Sequence, residues 1–281
     1  MAHLQLCHYP GCKAKIRTRI FPHLLALANG IDVFVDVFAG AGGVALEMMY
    51  QRPDLAYLVN DLDATMIALW LAIRDHSTEL VERVDSFTPS LREFYRGLPL
   101  WRRVTALPDS PEEIIEAAFL RLVHQTLSQS GRVDGDPRGG KYQSPNSIAM
   151  KWRPARLKSV IRLCSERMRL PHEVQISNRD FTPVVGDPDT RKFLFCDPPY
   201  WLGNPESPQR CYRNKFSVAD HARLAQMLKL TPHRWIVVYG DHLKIREYYE
   251  WAEIISITDS EILITARGLP AHTDDEINGS H

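Results

Sequence analysis

Asp197-Pro-Pro-Tyr200 puts a carboxylate, a rigid turn and a flat ring within four residues. The carboxylate can accept amino hydrogens. Pro198 and Pro199 fix φ and donate no backbone N–H, so the carbonyls around them are held in place and left to accept hydrogen bonds. Tyr200 adds an aromatic face for stacking. Together these suit the grip of a flat group that carries an amino function. Asp and Pro are also ordinary turn residues, so the chemistry depends on what the rest of the chain places beside this turn.

The apolar run Phe193–Cys196 before Asp197 suits a buried parallel strand. Ligands in open α/β sheets lie beyond the carboxyl ends of the strands, which is where Asp197 falls. Val33–Phe38 is a second β-prone run, and Ala39-Gly-Ala-Gly-Gly43 follows it before a helix expected over 44–50. Glycines there let a backbone pass close to a nucleotide-like molecule, and the helix start offers free N–H groups. Gly40 and Gly42 lack the third glycine of a dinucleotide fingerprint, and no Gly-Lys-Ser/Thr follows for a phosphate loop.

Ala56–Asn60 reads as the next strand, with Asp61 at its end, about twenty residues beyond the glycines, where a Rossmann-like fold sets its ribose-hydroxyl acceptor. A helix cap is the structural alternative for Asp61; Asp63 is expected to cap the helix over 64–73. Asp180 and Phe181 follow the strand 173–177 and could meet a cofactor amino group and ring, or serve as turn and core. Tyr9 and Lys13 lie in Tyr9-Pro-Gly-Cys-Lys13, just before a helix spaced on Ile16, Ile20 and Leu24. There the ring could stack on an adenine and the lysine approach an acid, or the segment is a plain N-terminal turn.

The chain has 281 residues, with 34 Lys plus Arg balanced by 34 Asp plus Glu, so overall charge decides nothing about a nucleic-acid partner. Its five cysteines are odd in number and show no C-x-x-C pairing, which disfavours a disulfide framework or a zinc site and fits a reducing cytoplasm. No bound metal is expected. No apolar run suits a bilayer span, and Met1–Leu6 is too short and polar for a signal peptide.

The α/β alternation lapses over 77–170, where Leu80–Val84 and Ile114–Leu127 have helical patterns. An inserted, mostly helical domain is the natural reading. It holds Arg121, Arg132, Arg138, Lys141, Lys151, Arg153, Arg156, Lys158, Arg162, Arg167 and Arg169 against Asp134, Asp136 and Glu166. That footprint suits phosphate contacts, with polar side chains such as Gln125, Gln129 and Gln143 to read base edges; a solvated helix face is the alternative. The alternation then resumes. Ser217-Val-Ala-Asp220 is a capping-box start to a helix, Trp235–Tyr239, Ile254–Ile257 and Glu261–Thr265 read as strands, and Leu243–Tyr249 reads as a helix.

Asp-Pro-Pro-Tyr resembles the signature of amino-group methyltransferases acting on nucleic-acid bases. The ordered set Tyr9-Pro-Gly-Cys-Lys13, Asp36–Gly42, Asn60-Asp61, the insertion, Ser177–Phe181, Asp197–Tyr200 and Tyr212–Phe216 resembles the Dam-like family of prokaryotic and phage adenine-N6 DNA methyltransferases. The resemblance implies a Rossmann-like S-adenosylmethionine-dependent α/β sheet with a mostly helical DNA-recognition insertion. The core would be 1–76 and 171–270, the insertion 77–170, and 271–281 a loose polar tail. Tyr9, Lys13, Phe38, Gly40, Gly42, Asp61, Asp180, Phe181 and Asp197 would line the cofactor pocket. Asp197, Pro198 and Tyr200 would act on an adenine flipped out of double-stranded DNA, with the protein working as a monomer, in the manner of restriction–modification enzymes.

Two departures are visible. Cys12 stands where the family has a second glycine before the lysine, and Leu127-Ser-Gln-Ser-Gly-Arg132 lacks the Asn-Gly pair of GATC-specific members, so GATC is not carried over. Cytosine-N4 methylation, methylation of RNA or of a protein amide, and an inactive DNA-binding relative are the alternative functions.

Overall fold

The computed structural model describes residues 4, 16–131, 135–189, 191–201 and 213–268. Among them lie seven strands, β1 (Val33–Asp36), β2 (Ala56–Asn60), β3 (Val174–Ser177), β4 (Lys192–Cys196), β5 (Arg234–Gly240), β6 (Glu253–Ser256) and β7 (Glu261–Thr265). They form one sheet in the order β3-β2-β1-β4-β5-β7-β6. The first five are parallel, and β7 runs antiparallel to both β5 and β6. Strand order therefore reverses between β1 and β4, and the crevice for a ligand opens at their carboxyl ends.

Alternation along the strands divides the core between the two faces. Phe34, Tyr57, Phe193 and Phe195 pack on one side, Val35, Leu194, Cys196, Trp235 and Tyr239 on the other. Helices α1 (Arg17–Leu27), α2 (Gly43–Gln51) and α3 (Ala64–Asp75) contribute to the first face. Helices α9 (Phe181–Val185), α10 (Val218–Leu230) and α11 (Leu243–Tyr248) contribute to the second. The Rossmann-like α/β expectation holds. Both arms of the Ser217–Asp220 capping box are present at the start of α10.

Between 77 and 170 the described residues form helices α4 (Ser77–Ser86), α5 (Leu91–Arg103), α6 (Pro111–Leu127), α7 (Pro145–Ala149) and α8 (Pro154–Met168). Helix α6 packs on α3, and α8 packs on α2, α3 and α4. Their buried residues, among them Phe94, Phe119 and Ile161, belong to the same apolar cluster as the sheet face under α2 and α3. Sequence periodicity did not reveal α5, because Gly97 and Pro99 interrupt it. Ser90 nevertheless caps it by accepting from Glu93 N at 3.1 Å, and a Cβ at Gly97 would lie 3.1 Å from Nε2 of His124 on α6.

Two positives of the basic segment are corrected. Arg121 is 1% exposed and donates to Asp63 Oδ2 at 2.7 Å. Arg167 is 7% exposed, donates to Glu47 Oε2 at 2.7 Å and lies over the Tyr50 ring. Both sit on the inward faces of their helices, and their charges are spent on buried carboxylates rather than on solvent. Lys158 is paired with Asp85 at 2.5 Å. Lys141, Lys151, Arg153, Arg156, Arg162 and Arg169 remain exposed, as does Tyr142. Arg132, Asp134 and the tail 271–281 lie outside the described residues.

Candidate active site

The loop after β1 is shaped by its glycines. Gly40 and Gly42 have φ of 47° and 70°, in the left-handed region that a side chain disfavours. A Cβ at Gly42 would also meet Trp70 Cζ2 at 2.0 Å. Trp70 in turn donates its indole N–H to Gly40 O at 2.9 Å, so α3 holds the loop from behind. Ala39 N bonds to Asn60 O at 2.9 Å, tying the loop to the end of β2.

Asp61 stands at that end. It accepts Gly40 N–H on Oδ2 and Asp63 N–H on Oδ1, each at 2.8 Å. Burial, and then the charge of Asp63, push its carboxyl up to about 6. Asp63 caps α3 as expected, accepting from Thr65 N at 3.0 Å. Asn60 staples three strand ends together: its amide donates to Val37 O at 3.1 Å and Arg179 O at 3.0 Å, and its oxygen accepts from Ser177 at 2.7 Å.

Phe38, Gly40, Gly42, Asp61, Asp180, Phe181 and Asp197 all line one cleft at the switch point. Phe38, Phe181 and Phe216 form an aromatic wall with ring centroids 5.6 Å apart. Asp180 caps α9 by accepting from Thr182 N at 2.9 Å and pairs with Arg223 at 3.2 Å. Burial opposes its ionisation, but the bonds from Thr182 and the Arg223 charge outweigh it and hold the carboxyl below the usual range. Asp180 and Phe181 thus serve as turn and core while still bordering the cleft.

Asp197 follows β4 directly and lines the cleft with Pro199, whereas Pro198 is buried and not part of the lining. Tyr200 also lies outside the lining. Its hydroxyl donates to Glu261 Oε1 at 2.9 Å. Tyr9 and Lys13 fall outside the described residues, as do residues 202–212.

Sequence reasoning missed Asp36 as a site residue. It lines the cleft at 2% exposure, and its Oδ1 has no hydrogen-bond partner among the described residues. Burial, then the charges of Asp197 and Asp61, push its carboxyl well above the usual carboxylate range. The available signal was the one used for Asp197: a lone acid closing an apolar strand. Arg213 was also missed. It lines the cleft and donates to Trp101 O at 2.9 Å and Val104 O at 2.8 Å at the end of α5, partners too distant in sequence to be read. Among the described residues no group of three or more His, Cys, Asp or Glu is arranged to hold a metal ion, and no helix is long and apolar enough to cross a membrane.

A glycine loop, an acid at the second strand end and Asp197 and Pro199 of the Asp-Pro-Pro-Tyr turn border one cleft, which can hold a nucleoside beside an acceptor for an amino group. Comparison with known proteins agrees. The pattern of the D12 class N6 adenine-specific DNA methyltransferases matches residues 9–261. The Type II methyltransferase M1.LlaDCHI of Lactococcus lactis subsp. cremoris is 21% identical over 229 residues, 79% of this chain and 76% of that protein. The chain is an enzyme of the D12 class of N6 adenine-specific DNA methyltransferases.

Proposed function

We propose that this enzyme takes its methyl group from S-adenosylmethionine and delivers it to the N6 of an adenine rotated out of duplex DNA. The observation that carries this reading is the ring of acids, Asp36, Asp61, Asp180 and Asp197, around an aromatic-walled cleft behind a glycine loop. The residues fit the cofactor. The aromatic wall suits its purine, Asp61 suits its ribose hydroxyls, and Oδ1 of Asp36, which has no hydrogen-bond partner among the described residues, suits a hydrogen-bonding group of the cofactor. S-adenosylmethionine supplies a methyl group made electrophilic by its sulfonium.

An adenine inside a duplex is out of reach of this cleft, and extruding it costs a few kcal/mol. Its exocyclic nitrogen is a poor nucleophile because the lone pair is delocalised into the ring. The Asp197 carboxylate and the Pro198 carbonyl accept its two N–H groups, which localises that lone pair and orients it. Asp197 is also placed to take the proton that N6 sheds, since a methylated exocyclic ammonium is a far stronger acid than a carboxylic acid. Tyr200 provides the stacking face for the base.

The segment 77–170 is read as the target-recognition part of the enzyme. Its exposed Lys141, Lys151, Arg153, Arg156, Arg162 and Arg169 support contact with phosphates. The enzyme is read as acting as a monomer, and the similarity to a Type II methyltransferase supports a restriction–modification setting.

Digestion of unmodified duplex DNA treated with the enzyme and S-adenosylmethionine, followed by mass spectrometry of the nucleosides, should yield N6-methyldeoxyadenosine. N4-methyldeoxycytidine would move the assignment to the other amino base, and no methylated nucleoside would make the protein an inactive relative. Asp61 gives a second prediction. Its carboxylate must be ionised to accept two hydroxyl donors, so affinity for S-adenosylmethionine should be nearly full about one unit above pH 6 and about half that at pH 6. It should fall by up to about tenfold per unit below that, as Asp61 protonates around 6. Calorimetric titration across pH 5–8 reads this directly, and an affinity flat over that range would remove Asp61 from the role.

A further inference from the structure

Tyr200 is held by a contact from β7, the strand beyond β5. Its hydroxyl donates to Glu261 Oε1 at 2.9 Å, a charge-assisted bond. Glu261 opens β7, and in the antiparallel ladder it stands directly opposite Gly240, the last residue of β5. A Cβ at Gly240 would lie 3.2 Å from Tyr200 Cδ2 and 3.7 Å from Cε2, so the ring lies close over the bare backbone there. The Tyr239 ring stands 6.2 Å away. Asp241 N bonds to Ser260 O at 2.8 Å and holds this end of the β5–β7 pair in register. A one-residue slip would send Glu261 to the opposite face.

We propose that Glu261 is a positioning residue for methyl transfer: it tethers the Tyr200 hydroxyl while Gly240 supports the ring, and together they fix the plane on which the target base is held. The inference rests on the reading that Tyr200 stacks on the base. It gives the antiparallel β7 a task in the reaction, since a parallel strand at this position would not bring its first residue beside the last residue of β5. A base misaligned on a loose ring would still bind, but its N6 would be presented poorly, so the loss falls on kcat rather than on the KM for cofactor.

The test compares Glu261→Ala, Glu261→Gln, Tyr200→Phe, Tyr200→Ala and the double variant Tyr200→Phe/Glu261→Ala. Initial rates of methyl transfer to unmodified plasmid DNA are measured alongside melting temperature. Glu261→Ala and Tyr200→Phe should each lower kcat about tenfold, the scale of a lost hydrogen bond to a charged group, with the KM for S-adenosylmethionine unchanged. Glu261→Gln keeps a neutral acceptor and should stay within about threefold of the parent. The double variant should be no slower than either single, because both remove the same bond. Tyr200→Ala should cost about 10- to 100-fold through lost stacking. A Glu261→Ala enzyme at the parental rate, or a double variant whose losses multiply, would overturn the role of Glu261. Tyr200→Ala at the parental rate would instead overturn the stacking reading.

Discussion

Asp197→Ala should lower kcat for DNA methylation by about 10²- to 10³-fold, the usual cost of deleting one group aimed at charge that develops in a transition state. Asp197 borders the cleft directly after β4. Removing it takes away an acceptor for N6 and the group best placed to receive its proton, while the glycine loop, Asp61 and the aromatic wall stay intact. Cofactor affinity should therefore change far less than turnover. Asp197→Asn, which keeps one acceptor oxygen and loses the base, should fall between. An alanine variant within tenfold of the parent would show that another group aims the nucleophile.

Arg121→Ala should be strongly destabilising. The guanidinium is 1% exposed, bonds to Asp63 Oδ2 at 2.7 Å and reaches Thr65 Oγ1 at 3.2 Å. Without it, Asp63 stays buried with Arg213 at 3.8 Å as its remaining cation among the described contacts. Breaking a buried pair from one side costs about 3–5 kcal/mol, which for a chain of this size lowers Tm by on the order of 10 °C. Arg156→Ala on the exposed face of α8 should shift stability by less than about 0.5 kcal/mol. Thermal denaturation of the two variants side by side checks the contrast. An Arg121→Ala protein melting with the parent would return Arg121 to the solvent-facing set.

That contrast marks where sequence stopped being informative. Strands such as Val33–Asp36 and Ala56–Asn60 could be read because their local pattern and their structure have the same cause, burial on both faces of a parallel sheet. Caps at Asp63 and Ser217 were equally legible, since a cap and its partner lie within three residues. Charge counting failed for Arg121 and Arg167, whose acids lie 58 and 120 residues away on other helices. Helix α5 was hidden for a related reason. Its Gly97 looks like a breaker until His124 of α6 is seen against it. In the cleft, the residue types named a grip for an amino group, but the strand order β2-β1-β4 was needed to bring Asp36, Asp61 and Asp197 around one space. Glu261 had no local signal, because its partnership with Tyr200 runs across two neighbouring strands.

The most direct test is a crystal structure of the enzyme with S-adenosylhomocysteine. The ribose hydroxyls should lie on Asp61, the purine against Phe38 and Phe181, and the sulfur should face Asp197. A cofactor product bound elsewhere, or bound with Asp197 turned away from the sulfur, would contradict the account.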